Sequence, residues 1–270
     1  VTAAGGSITE IIYYLEADHK LVAVDVTSIY PEEASIFPSI GYVRALSAEG
    51  ILSLNPSIII GEDDMSPAEV IEQIKESEVE IITVEEDHSI MGILNKVNCV
   101  AAIIGKKKYA RELVERDLVP QISQLKSTYS KISNDLPKIL FILSLQGGSP
   151  LVAGKGVSAD GFIKMVGGTN SMANFEGWKP ASTESILNAA PDVSVKYPTP
   201  VAAVLGSAEI FVVFQDTSPV EPKPAAVPEL VIVTPAGILI VSPLSPNVVV
   251  PHAVLGLILF TFISLIIFTY

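Results

Sequence analysis

Glu49, Ile51, Leu52 and Pro56 recur as Glu184, Ile186, Leu187 and Pro191, each 135 positions later. With one residue of slack, Gly41-Tyr42 finds a counterpart in Gly177-Trp178. Both places read as a loop carrying an aromatic, a glutamate opening a short helix, a proline, and an apolar run suited to a buried strand. Such a unit, repeated at domain-sized spacing, restricts the chain to folds built from two similar lobes. Two lobes imply a cleft, and an aromatic just ahead of each repeated helix is placed to face it.

The 270 residues suffice for two lobes with a core each. Strand and helix patterns alternate through the first half. Val1–Ser7 ends a first strand, and Ser7 or Thr9 can cap a helix over 9–16. Leu21–Val26 and Ile58–Ile60 are apolar strands, Ser66-Pro67 opens a helix to about Ser77, and Glu80–Val84 is a further strand. This order predicts an α/β fold of two similar lobes with mostly parallel sheets covered on both faces. From about Ser89 to Ser127 the pattern is helical, with breaks expected near Gly105 and Pro120, which suggests a long rigid interlobe helix. The domains expected are therefore an N-terminal lobe over 1–88, the interlobe helix over 89–128 and a C-terminal lobe over 129–270. The second lobe restarts with a strand at Lys138–Leu143, followed by a glycine-rich loop and a helix near Ala159–Val166. The repeated Glu184 helix and a strand at Val193–Val195 complete it.

A net charge of −13 and a pI near 4.6 argue against a nucleic-acid partner, which requires clustered cations. Lys106-Lys107-Lys108 runs into mixed charge and reads as a solvated helix face. Cys99, the lone cysteine, excludes an intrachain disulfide and falls in an apolar helical pattern, where a buried inert thiol is expected. His19, His88 and His252 form no metal or triad constellation, and surface positions are expected for the first two. Glu62-Asp63-Asp64 and Glu85-Glu86-Asp87 each precede a helix and read as structural, with Ca²⁺ left open. The loop Gly147–Gly156 has the wrong spacing for a phosphate loop, and Gly156 stands where a Mg²⁺-binding hydroxyl belongs. No nucleophile–base constellation appears, so an enzyme is not expected.

Arg44 lies two residues from Tyr42, and in an extended segment the two side chains would point the same way. A guanidinium beside a phenol favours the phenolate, a ligand suited to ferric iron. Spacing alone favours an ordinary loop tyrosine with Arg44 in a surface ion pair. Glu49 and Glu184 open equivalent helices. They can stabilise the first-turn dipole, serve as matched anionic contacts for a two-fold symmetric partner, or do both.

Tyr42–Leu54 resembles the signature of periplasmic haem-binding proteins that serve bacterial ABC haem importers. Gly5–Ile12, Asp25–Pro31, Gly147–Gly154 and Gly167–Asn170 extend the resemblance over roughly residues 1–195. The resemblance implies a monomeric periplasmic protein holding haem in the interlobe cleft. It implies Tyr42 as iron ligand, Arg44 as its support, Trp178 as an apolar wall, and Gln146 where some relatives carry a histidine. It also implies that Glu49 and Glu184 dock on a dimeric ABC permease. The same fold carrying a ferric siderophore or a corrinoid is the alternative. Fewer cations in the cleft than iron chelates require favour haem.

The first residues show no basic region followed by a long apolar stretch, so the chain is either cytosolic or lacks a removed leader; the resemblance favours the periplasm. Beyond residue 196 the resemblance stops. Relatives finish with a charged amphipathic stretch, whereas Leu230–Tyr270 contains no Asp, Glu, Lys or Arg. Residues 197–270 read as a frameshift or as misassigned side chains. Taken literally, Ala253–Tyr270 meets the length of a membrane span, giving a membrane-anchored interaction protein as a third reading.

Overall fold

In the computed structural model the described residues are 1–129, 136–144, 149–196, and the strand backbones at 210–214, 229–234 and 237–241. The chain forms two compact units, the first built on Val1–Ile122 and the second beginning at Ser123.

The first unit is a parallel sheet of β1 (Thr2–Ala4), β2 (Ala23–Val24), β3 (Ile58–Glu62) and β4 (Glu80–Val84), in the order β2-β1-β3-β4. Period-2 alternation divides its side chains between two cores. Ala3, Val24 and Ile60 face a cluster with Ile8, Ile12 and Leu15 of α1 (Gly6–Tyr14) and with Val97 and Val100 of α4 (Ile90–Ile103). Ala4, Ala23 and Ile59 face a second cluster. That cluster includes Ile40, Val43, Leu46, Ile51 of α2 (Ala48–Leu52) and Ile74 of α3 (Ala68–Glu76). Burial on both faces explains the nearly continuous apolar runs in these strands.

Two local expectations change. Helix α1 starts at Gly6, earlier than the hydroxyls suggested, so Ser7 and Thr9 are not its cap. They are buried in its first turn, where Ser7 donates to Glu62 and Thr9 shares a hydrogen bond with Ser28. The start is possible because Gly5 is glycine: its φ is 134°, and a Cβ there would lie 2.6 Å from Glu62 Oε1.

The helical stretch after residue 89 has both anticipated irregularities, of different kinds. Gly105, at φ 75°, separates α4 from α5 (Lys107–Leu113). Pro120 does not end the helix. A wide π-type turn over Val114–Leu118 leads into α6 (Val119–Tyr129), and the Val119 amide donates to the Val114 carbonyl. Proline cannot donate to the carbonyl four residues back and clashes with it, so the chain widens there.

The second unit is centred on β5 (Lys138–Ser144), which runs parallel to β7 (Thr169–Asn170) and β9 (Val193–Lys196). It is antiparallel to β6 (Leu151–Ala153), which pairs antiparallel with β8 (Trp178–Pro180). Strands β10 (Ile210–Phe214), β11 (Glu229–Thr234) and β12 (Gly237–Val241) extend the sheet antiparallel beyond β9. The α/β class holds, and the strict parallelism belongs to the first sheet. The connection from β5 to β6 is too short for the crossover a parallel pair needs. Helices α7 (Ser158–Met165) and α8 (Thr183–Ala189) lie between β6 and β7 and between β8 and β9 in the chain.

Among the described residues no helix is long and apolar enough to cross a membrane. Ala253–Tyr270, the stretch with the length of a span, lies outside them, as do His252 and most of the charge-poor tail.

Candidate ligand-binding site

In open parallel sheets the loops beyond the carboxyl ends of the strands form the ligand-binding edge. In the first unit these are Asp25–Tyr30 after β2, Asp63–Ser66 after β3 and Glu85–Ser89 after β4. The turn Tyr42–Ala45 is tied to the first two. The Val26 amide donates to the Gly41 carbonyl at 2.9 Å, the Ser66 amide to Val43 at 3.1 Å, and the Leu46 amide to Ser66 at 2.9 Å.

Tyr42 and Arg44 do not lie on an extended segment. The Ala45 amide donates to the Tyr42 carbonyl at 2.7 Å, which makes Tyr42–Ala45 a reverse turn, entered through Gly41 at φ 85°. The side chains still meet, because Arg44 Nη1 donates to Tyr42 Oη at 3.3 Å. Arg44 Nε and Nη2 are each 2.7 Å from Asp64 Oδ2. Partial burial works to lower the Arg44 pKa, but Asp64 and Tyr42 prevail and raise it, so the guanidinium is a permanent cation. Tyr42 is half-buried against the core containing Val43 and Leu46. Asp64 was not among the expected site residues. Its only sequence signal was an acidic run after a buried strand, which reads as structural.

Glu49 and Glu184 are both exposed in the first turns of α2 and α8. The structural repeat goes deeper than the residues that revealed it. Ser47 and Ser182 cap the two helices, accepting from the Gly50 and Ser185 amides at 3.3 and 3.1 Å. After the helices, Asn55 and Ala190 take left-handed conformations, at φ 49° and 43°, ahead of the buried Pro56 and Pro191. Gly177, at φ 77°, precedes Trp178 much as Gly41 precedes Tyr42.

Trp178 opens β8 in the second unit, half-buried, with its ring edge-on to Phe141 at 6.0 Å. Gln146 lies outside the described residues. The motif Gly167–Asn170 has a structural role. The Asn170 amide donates to Ala153 and Gly154 carbonyls and to Asp160 Oδ1, and its oxygen accepts from the Met172 amide.

Behind the ligand-binding edge lies a buried charge cluster. Lys96 bonds Glu62 at 3.1 Å and also Glu86, which contacts His88 Nδ1 at 3.3 Å. One buried ammonium cannot offset every carboxylate around it. Burial pushes Glu62 up to about 7 despite Lys96 and Ser7, and lifts Glu10 well above the usual range. For Glu86 burial is outweighed by hydrogen bonds from His88 and Lys96, and its pKa is lowered. His88 is therefore half-buried and paired, contrary to the surface position expected. Cys99 differs in the opposite direction and is exposed. Val97, Val100, Ala101 and Ile104 line one face of the helix, and a residue two after Val97 points away from it. Among the described residues no three His, Cys, Asp or Glu side chains are grouped to hold a metal ion.

A parallel sheet with turns gathered at its carboxyl edge, and a capped helix repeated in a second unit, define a two-unit α/β protein. Residues 1–198 match the periplasmic binding protein family, and the chain belongs to it. It is similar to the solved periplasmic haem-binding protein BhuT in complex with two haems, with 31% identity and a TM-score of 0.70 over 75% of this chain and 78% of that one. It is 26% identical over 191 residues to the uncharacterized ABC transporter substrate-binding lipoprotein YvrC of Bacillus subtilis, covering 70% of this chain and 60% of that protein. It is 27% identical over 188 residues to the vitamin B12-binding protein of Vibrio parahaemolyticus, covering 68% of this chain and 66% of that protein. The chain thus spans less than two thirds of the length of these two relatives.

Proposed function

We propose that this chain is the substrate-binding component of an ABC importer, working outside the cytoplasm, and that its cargo is haem captured through a bond from Tyr42 to ferric iron. The observation that carries the reading is the turn at Tyr42. It presents a half-buried phenol at the carboxyl edge of a parallel sheet, with one guanidinium donor on its oxygen. A phenolate oxygen accepting one hydrogen bond keeps electron pairs free for a metal. The likeness to BhuT supports haem in particular.

In this reading Trp178 supplies an apolar wall for the porphyrin, and Gln146 supports the haem site. Glu49 and Glu184 dock on the arginines of a permease dimer. A corrinoid is the second reading, favoured by the similarity to a vitamin B12-binding protein.

The test is an absorption titration of the purified protein with ferric haem beside the variant Tyr42→Phe. The expected outcome is saturable binding with a tyrosinate-type high-spin spectrum that is lost or altered in the variant. No specific binding by the wild type, together with binding of cobalamin, would transfer the assignment to the corrinoid reading.

A further inference from the structure

Asp64 stands out because its carboxylate is only half used by the folded chain. Oδ2 takes both Nε and Nη2 of Arg44 at 2.7 Å, whereas Oδ1 is a buried atom with no hydrogen-bond partner among the described residues. A carboxylate placed for stability would have donors on both oxygens. The loop that carries it is clamped to the Tyr42 turn at several points. Beyond the two backbone bonds, the Ser66 hydroxyl bonds the Arg44 carbonyl at 3.1 Å and the Asp64 carbonyl at 3.3 Å. The backbone of the turn is thus held without Asp64. What Asp64 adds is a fixed direction for the Arg44 side chain, which otherwise has several rotatable bonds and half its surface in water.

We infer that Asp64 is a positioning residue for cargo capture: it pins Arg44 so that Nη1 faces Tyr42 Oη, and thereby holds the phenol ready for the iron. This rests on the haem reading above. Two effects of removing Asp64 compete, and exposure decides between them. An unpaired Arg44 would bring a stronger positive field to the phenol. However, the Arg44 and Asp64 side chains are 45% and 31% exposed, so water and salt screen most of that change. The loss of orientation is not screened. Two of three guanidinium anchors disappear, and the remaining 3.3 Å bond is too long to hold the side chain alone. The phenol then loses its donor for much of the time, and ordering it again is left to the binding step.

The experiment is a double-mutant cycle on ferric-haem affinity and on the iron–tyrosinate charge-transfer band, using wild type, Asp64→Ala, Arg44→Ala and the double variant. Asp64→Ala should weaken binding roughly three- to tenfold, the range of one well-placed hydrogen bond, and shift the band. Asp64→Asn, whose amide oxygen still accepts from the guanidinium, should restore part of both. In the Arg44→Ala background Asp64→Ala should have no further effect, because its action passes through the guanidinium. Equal losses in both backgrounds, or an unchanged band with only a lowered melting temperature, would overturn the inference. A wild type that binds no haem takes down the haem reading and this inference together. A wild type that binds through Tyr42 with Asp64→Ala unchanged takes down only the second.

Discussion

Lys96 has two roles at once: it anchors α4 to the sheet and compensates charge that the fold buries. Replacing it by methionine keeps the volume and leaves Glu62 and Glu86 without their common cation. Breaking a buried pair from one side costs about 3–5 kcal/mol, and chemical denaturation of Lys96→Met should show a loss of that order. Glu62 adds a pH signature whose sign follows from its raised pKa. The folded protein holds this proton from 4.5 up to about 7, whereas the unfolded chain releases it near 4.5. The native state therefore binds more protons in that window. The stabilising contribution is complete below 4.5 and is lost as pH rises through about 7. Denaturation curves between about pH 5 and 8 should show stability falling with pH, and Glu62→Gln should flatten that slope. None of this cluster was legible in the sequence, because Glu62, Glu86 and Lys96 are brought together by strand register and helix rotation rather than by spacing. Cys99 carries the complementary lesson. The apolar helical pattern identifies the buried face, and the angular position of Cys99 on the helix puts the thiol outside it.

At the level of elements, the repeated helix is visible through Glu49/Glu184 and Pro56/Pro191, while its caps and left-handed ends emerge only in the structure. Ser47→Ala and Ser182→Ala should each cost about 1 kcal/mol in denaturation experiments, the usual loss when a capping hydroxyl is removed. The two left-handed positions are not equal. Asn55 tolerates that conformation, but Ala190 has a β-carbon and no side-chain polar group to compensate. Ala190→Gly should therefore stabilise the protein by about 1 kcal/mol, a gain that Asn55→Gly should not match. A glycine at 190 that fails to stabilise would mean that neighbouring packing supports the strained conformation. The π-type turn before Pro120 likewise follows from a residue seen in the sequence. A proline announced an irregularity, but whether the helix stops or widens depended on the packing of its flanking turns, with Leu113, Val114 and Leu118 all buried.

For the whole molecule, the exposed glutamates are the test of its place in transport. If Glu49 and Glu184 dock on a permease, Glu49→Arg and Glu184→Arg should leave haem titrations unchanged while abolishing importer-dependent uptake in cells. Both positions are solvent-exposed in the first turns of short helices, so the substitutions should cost at most about 1 kcal/mol of helix-dipole energy each. Unchanged uptake would assign the two residues to helix capping electrostatics alone. The family match ends at residue 198, and the strands β10 to β12 lie beyond it.

What the sequence determined by itself was everything carried by local pattern: alternating strands and helices, the repeat at 135 positions, the glycine before Tyr42 and before Trp178, and the motifs of a binding-protein family. These are legible because turn chemistry, capping and hydrophobic period act over a few residues. The tertiary structure decided the rest. It curled the Tyr42–Arg44 segment into a turn and still brought phenol and guanidinium together. It brought Asp64, twenty positions further on, to the far side of that guanidinium, and it buried Lys96 among carboxylates from β3 and the loop after β4. Such pairings depend on which loops share the carboxyl edge of a sheet, and that is set by strand order, which no local pattern encodes.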